Sequence, residues 1–569
     1  MKSLFTIFVT VLLAACSQAP AEDTRFEKLA NQFIEAFLEM HPEWATGLGD
    51  HRYDHRLGDY SLDSVEKGKT LLHSYRDSLK TIDATGLNEA NRIDYQILAH
   101  NLEAMLFQYE VLREYEWNPR VYNIGGAVYG LIARDFAPLK ERLLNLKERL
   151  KGIPEVLEHA KKNLKNPPKI HTETAILQNK GNINMIESEL DRFLDEVPEL
   201  KDEFQPVREQ AVAALEAYGK WLEEDLLPRS DGDFRLGDEK YRQKLKFTLE
   251  SDFSKEEILQ RAEADLRETQ NVMHQTAQEL YKQYFGTDAT DDKKQVIKAV
   301  LDKLAEDRPD NETIVALAEE KLQTATEFTA EHKLVTIPNE PVKIIVMPEF
   351  QRGVAVAYCD SPGPLEEKGE TFYAISPTPE NWTPERVTSF FREYNNYMLD
   401  NLTIHEAVPG HYLQLALSNK FKAPTSIRSI FQSGTFIEGW ATYAEQLMAE
   451  KGYGGPQVKM QQLKMRLRLI INAIIDQKIH TAGMTEQQAM DLMMNEGFQE
   501  EGEAAGKWRR ACLTSTQLST YYVGNSEIND LRKGYETKHG SNAVMQKMHD
   551  AMLSFGSPAP RYVKELLGI

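Results

Sequence analysis

The sequence predicts a mainly α fold, with two helical lobes around a deep cleft and a small β-sheet close to that cleft. Three observations predict it. Apolar residues recur at three- and four-residue spacing through most of the chain. Breaks rich in Gly, Pro and Asp separate those stretches, and only two short runs read as strands. At 569 residues, the chain is also too long for one ordinary core.

In chain order, Lys2 opens a positively charged start, and residues 4–13 form an apolar stretch too short to span a membrane. It ends in Leu13-Ala14-Ala15-Cys16, which resembles a bacterial lipobox. On that reading residues 1–15 are a signal peptide, Cys16 is lipidated, and 16–24 is a tether. Ser17 rather than Asp after the cysteine favours the outer membrane, facing the periplasm. An ordinary signal peptide cut near Ala15 or Ala19 is the alternative.

Helical periodicity then covers 26–40, 62–82, 89–115, 139–164, 172–196 and 203–225, and continues over 254–283, 290–305 and 311–332. Asn166-Pro167-Pro168 and Pro228-Arg229-Ser230-Asp231-Gly232 punctuate it. Residues 342–346 and 371–375 read as strands, and helices resume from about 384. The expected division is an N-terminal helical lobe, 25–240, and a catalytic helical lobe, 241–569, that contains the small sheet at about 340–376. No repeat of fixed period is present.

There are 88 Asp and Glu against 67 Lys and Arg, a net charge of −21. That balance argues against a nucleic-acid partner, which needs clustered cations. Only Cys359 and Cys512 would remain after processing, too few for a disulfide framework, and whether they pair is left open.

The chemistry concentrates in His405-Glu406-Ala407-Val408-Pro409-Gly410-His411. It resembles the HExxH metallopeptidase motif with two residues inserted. In the uninterrupted motif the two His share one helix face and bind zinc, and the Glu is the general base. Six residues apart, they would sit about 120° apart around a straight helix. Pro409 lacks the N–H that would continue the helix, and Gly410 permits unusual backbone angles, so a bulge or loop can return His411 to the metal. Phe436-Ile437-Glu438-Gly439-Trp440 follows at the distance where glutamate-ligated zinc peptidases place their third ligand. Glu438 is assigned as that ligand. Glu445, seven residues on and on nearly the same helix face, is assigned to orient a ligating His. Two His and one Glu leave a position for water.

These motifs carry a resemblance to a bacterial family catalogued only as a domain of unknown function, number 885. Pro42-Glu43-Trp44-Ala45-Thr46-Gly47-Leu48-Gly49, Tyr53-Asp54, the two metal motifs, and Asp476, His480, Gln517, Tyr521, Gly524, His549 and Gly556 all fall in its pattern. Ser515-Thr516 and Ser376 depart from it. The resemblance implies a helical metallopeptidase-like fold, akin to oligopeptidases, in exported lipoproteins of undefined substrate.

The expected activity is zinc-dependent hydrolysis of peptide bonds in small peptides, with Glu406 as general base. Related helical zinc peptidases use a late Tyr or His to stabilise the oxyanion. Tyr521 is the candidate here, with Tyr522 and then His480 as alternatives. Residues 371–375 are expected to act as an edge strand that pairs with substrate, with Ala374 in contact. Arg532 is the candidate for holding a substrate carboxylate. His51, His55 and His549 are read as structural. A non-catalytic metal- or peptide-binding lipoprotein, a hydrolase of non-peptide esters or amides, and a purely structural envelope protein are the competing functions.

Overall fold

The computed structural model describes residues 21–347, 356–366, 369–379, 382–540 and 545–569. Cys16 and the lipobox lie outside the described residues.

The fold is mainly α with one small sheet, as the periodicity predicts. Among its helices are α1 (Ala21–Met40), α2 (Glu89–Phe107), α3 (Leu139–Asn163), α4 (Lys201–Trp221) and α5 (Lys255–Phe285). The predicted helix over 89–115 stops early. It passes through a π-turn at Gln108–Leu112 to Arg113, which adopts a left-handed conformation with φ 51°. The stretches over 172–196 and 203–225 are likewise interrupted by π-turns, at Met185–Glu189 and Leu222–Leu226.

Strands β1 (Val342–Val346), β2 (Ala357–Asp360) and β3 (Thr371–Ile375) form the sheet in the order β1-β3-β2. β1 runs parallel to β3, and β2 antiparallel. The spans of β1 and β3 are those the sequence predicts. Their arrangement is not: β3 lies in the middle, with Ala374 opposite Ile345 on one side and Tyr358 on the other. The edge strands are therefore β1 and β2, and β3 has no free edge.

Seven helices place the site: α6 (Pro384–Glu393), α7 (Asn396–Glu406), α8 (His411–Ser418), α9 (Gly434–Glu450), α10 (Gly455–Ala482), α11 (Glu501–Leu513) and α12 (Ser519–His539). Asn395 starts α7 by accepting from the N–H groups of Tyr397 and Met398, and Ser433 starts α9 by accepting from Phe436. The largest apolar cluster joins Tyr373 of β3, Leu399 and Leu402 of α7, and Phe436, Trp440 and Tyr443 of α9. That burial fixes α7 between the sheet and α9.

A second cluster carries α1 and α2 onto Ile427, Ile430, Phe431 and Tyr562 from far along the chain. A buried ion pair reinforces the seam: Arg428 Nε donates to Asp94 at 2.9 Å, with side-chain exposures of 1% and 0%. Burial raises the Asp94 carboxyl, and Arg428 and Thr425 partly offset it.

α9 and α12 cross with their backbones in contact. A Cβ on Gly439 would lie 2.5 Å from the Gly524 carbonyl carbon, and one on Gly524 would strike the Thr435 carbonyl. Only glycine fits at either position.

Candidate metal centre

α7 ends at Glu406, and α8 begins at His411. The inserted residues do not bulge the helix; they break it. Ala407–Gly410 form a tight turn containing a cis Val408–Pro409 peptide. A Cβ on Gly410 would strike the carbonyl oxygens of Ile404 and His405, so the turn closes this tightly only around glycine. Trp440 Nε1 donates to the Pro409 carbonyl at 2.8 Å. The two motifs thus bind each other: the Trp nearly two turns inside α9 holds the turn that sets His411.

The His405 and His411 rings stand at 86° with centroids 4.6 Å apart. Glu438 Oε2 lies 3.7 Å from His405 Nε2 and 3.5 Å from His411 Nε2. One ligand atom from each of the three residues falls within 4.8 Å of the others. Zinc with bonds of about 2.1 Å in tetrahedral geometry sets ligand atoms about 3.4 Å apart, so this spacing suits a shared ion. Glu438 Oε2 is buried and lacks a hydrogen-bond partner among the described residues, so the donor set fits a divalent metal. Burial raises the Glu438 carboxyl, but His405 and His411 outweigh it and hold the group well below the carboxylate range.

Glu445 completes the arrangement. Its Oε1 is 2.6 Å from His405 Nδ1, and its Oε2 accepts from Asn401 Nδ2, also at 2.6 Å. A carboxylate can only accept, so Nδ1 carries a hydrogen, which leaves Nε2 as the nitrogen available to a metal. Burial lowers the His405 pKa, yet Glu438 and Glu445 raise it well above the ordinary value.

Glu406 stands apart from the trio. Its Oε2 accepts from the Cys359 backbone N–H of β2 at 3.0 Å. That N–H points away from β3, so the outer edge of β2 faces Glu406. Cys359 and Cys512 are free thiols. Burial pushes the Cys359 thiol up to about 12, so it stays protonated.

The other predicted residues divide. Tyr521 lies on α12 one turn before Gly524, which touches the residue next to Glu438. Burial, then the Glu438 charge, push its phenol up to about 12. Tyr522 turns away and donates to Asp265 at 2.8 Å. His480 pairs with the Ala511 carbonyl and stacks on Tyr241. His51 bridges Asp54 and Glu366, and His549 bridges Tyr443 and the Leu334 carbonyl, as structural histidines do.

Two expectations are corrected. Ala374 is fully buried with strands on both sides, so it offers no free backbone edge. Arg532 is occupied by Glu450 and Glu536. Glu450 sits at the far end of α9, about 18 Å of helix from Glu438. The cation that does approach is Arg510, absent from the sequence reading. Its Nη2 donates to Tyr521 Oη and Gln517 Oε1, both at 2.9 Å, and the Glu438 charge reaches it.

A cavity of about 1420 Å³ is lined by Val356, just before β2, by Trp382 and Tyr394, and by Trp508 of α11. None of the metal trio lines it.

A family model described as "Bacterial protein of unknown function (DUF885)" matches residues 42–567. Among solved structures, the chain is similar to a candidate lipoprotein of unknown function from Shewanella oneidensis. The identity is 32% and the TM-score 0.81, over 96% of this chain and 100% of that one. It is also similar in fold to a candidate lipoprotein from Colwellia psychrerythraea, at 19% identity and TM-score 0.78, over 96% and 99% of the two chains. No curated protein matches. Among the described residues no helix is long and apolar enough to cross a membrane.

Proposed function

The chain belongs to the DUF885 family of bacterial proteins of unknown function, and we propose that it is a zinc-dependent peptidase acting on small peptides at the cell envelope. The observation that carries this reading is the convergence of His405, His411 and Glu438, with the separate carboxylate of Glu406 at the edge of β2.

In this reading His405, His411 and Glu438 hold the ion, and Glu445 keeps His405 in the ligating tautomer. Bound zinc would supply a water acidified to a pKa of about 7 and a Lewis acid for the scissile carbonyl. Glu406 takes the proton of the attacking water and delivers it to the leaving amine as the C–N bond breaks. Tyr521 donates a hydrogen bond to the carbonyl oxygen as it gains charge. The substrate backbone lies extended along the outer edge of β2, in the role first given to Ala374. Lipidation at Cys16, outer-membrane placement and the two lobes at 25–240 and 241–569 belong to the same reading. The candidate lipoproteins of similar structure support the anchor.

The test is metal analysis of purified protein, followed by turnover of a mixed peptide library. Glu406→Gln is expected to keep stoichiometric zinc and to lose about 10²–10⁴-fold in kcat. Protein without stoichiometric divalent metal, or a Glu406→Gln variant with wild-type turnover, refutes the proposal.

A further inference from the structure

Arg510 contrasts with Arg428, Arg468 and Arg532 in its partners. Arg428, Arg468 and Arg532 are each paired with a carboxylate. Among the described residues no carboxylate lies within 4.0 Å of the Arg510 guanidinium, in a chain of net charge −21. Its two hydrogen bonds both leave from Nη2 and both go to neutral acceptors, Gln517 and Tyr521. Among the described residues Nη1 and Nε have no acceptor, and the residue is exposed. The guanidinium carbon stands 5.8 Å from the centre of the Tyr521 ring. The crossing at Gly439 and Gly524 sets that ring one turn from the residue beside Glu438. Arg510 also lies on α11, one residue beyond Trp508 and Arg509 in the cavity wall. A guanidinium with no carboxylate in direct contact, beside the cavity wall and the Tyr521 phenol, has the chemistry of a carboxylate receptor; Glu438 and Glu503 act on it only from farther off.

We propose that Arg510 binds the free C-terminal carboxylate of the peptide, making the site one that trims peptides from that end. The proposal rests on the peptidase reading. It gives Arg510 the task first assigned to Arg532, and it makes peptides with a free carboxylate the substrate class. The rest of the peptide then extends along β2 toward the cavity at Val356. Water adds across one peptide bond near the terminus, leaving a shortened peptide and a released amino acid or short fragment.

The test uses one mixed-sequence hexapeptide library made twice, with free C-terminal carboxylates and with C-terminal amides. Binding to the full-length, zinc-loaded Glu406→Gln protein is measured by affinity selection and mass spectrometry. Hydrolysis by the wild type is followed in parallel. The free acids are expected to bind and react about 10- to 100-fold better than the amides, the range for one charge-assisted pair. Arg510→Gln should bring that ratio near one, mostly through KM, and Arg510→Lys should restore part of it. Equal handling of acids and amides by the wild type overturns the proposal, as does failure of either form to bind. So does an Arg510→Gln variant that loses both forms equally, since Arg510 would then act only through Tyr521. Acid-selective binding without any hydrolysis would instead retire the peptidase reading and leave Arg510 as a carboxylate receptor.

Discussion

Glu445→Gln tests whether the buried carboxylate behind His405 sets metal affinity. Glu445 is 1% exposed and accepts two hydrogen bonds at 2.6 Å, from His405 Nδ1 and Asn401 Nδ2. Glutamine keeps the shape but offers only one accepting oxygen. With its oxygen toward His405 its NH₂ meets Asn401, whose buried and unpartnered Oδ1 can turn to accept it, but the carboxylate charge on the His405 N–H is gone in every arrangement. One charge-assisted hydrogen bond is lost, worth about 1.5–3 kcal/mol. If that loss falls on His405, zinc binds about 10- to 100-fold more weakly, the usual effect of removing a ligand's outer partner. The assay is chelator competition on wild type, Glu445→Gln and Glu438→Gln. Glu438→Gln should lose stoichiometric zinc outright. Wild-type affinity in Glu445→Gln refutes the reasoning, and a reversed order of the two variants shows that the ligating carboxylate is Glu445.

Two further outcomes bear on stability. Asp94→Ala leaves the buried Arg428 guanidinium without its counter-charge and should cost about 3–5 kcal/mol in urea unfolding; a loss below 1 kcal/mol contradicts the role given to that seam. Burial raises the Glu250 carboxyl from 4.5 to about 7, with a small offset from Arg561. The folded state then keeps a proton that the unfolded chain releases, so stability falls as pH rises from about 4.5 to about 7. Glu250→Gln should remove that fall and gain about 1–3 kcal/mol at pH 8; a pH profile parallel to the wild type refutes it.

What the sequence made legible follows from how local each signal is. β1 and β3 are short runs dominated by β-branched and aromatic residues, and their spans in the structure match that pattern residue for residue. β2, Ala-Tyr-Cys-Asp, is four residues long and has neither length nor alternation to announce it. Strand order is a property of pairing across the sheet, so the sequence could not place β3 in the middle or free Ala374 of its edge role. The trio was legible because a Pro-Gly between two histidines has a local backbone meaning. Glu445 was legible because seven residues return to one helix face. Arg532 and Arg510 were not, because an arginine's availability depends on distant carboxylates. Glu450, which occupies Arg532, is 82 positions away in the chain. Nothing near Arg510 in sequence announces that it bonds to neutral acceptors instead of a carboxylate.

The glycine contact between α9 and α12 acts as a fulcrum. Backbone meets backbone there, which opposes sliding of one helix along the other. Tyr521 is three residues from that point, about 4.5 Å of axis, so a 10° swing moves it by less than about 1 Å. Tyr535, eleven residues out on the other arm, would move by about 3 Å. Ile528, Leu531 and Tyr535 pack into the main apolar cluster and resist that swing, so the phenol's distance from Glu438 is held from the fulcrum and from the outer arm together.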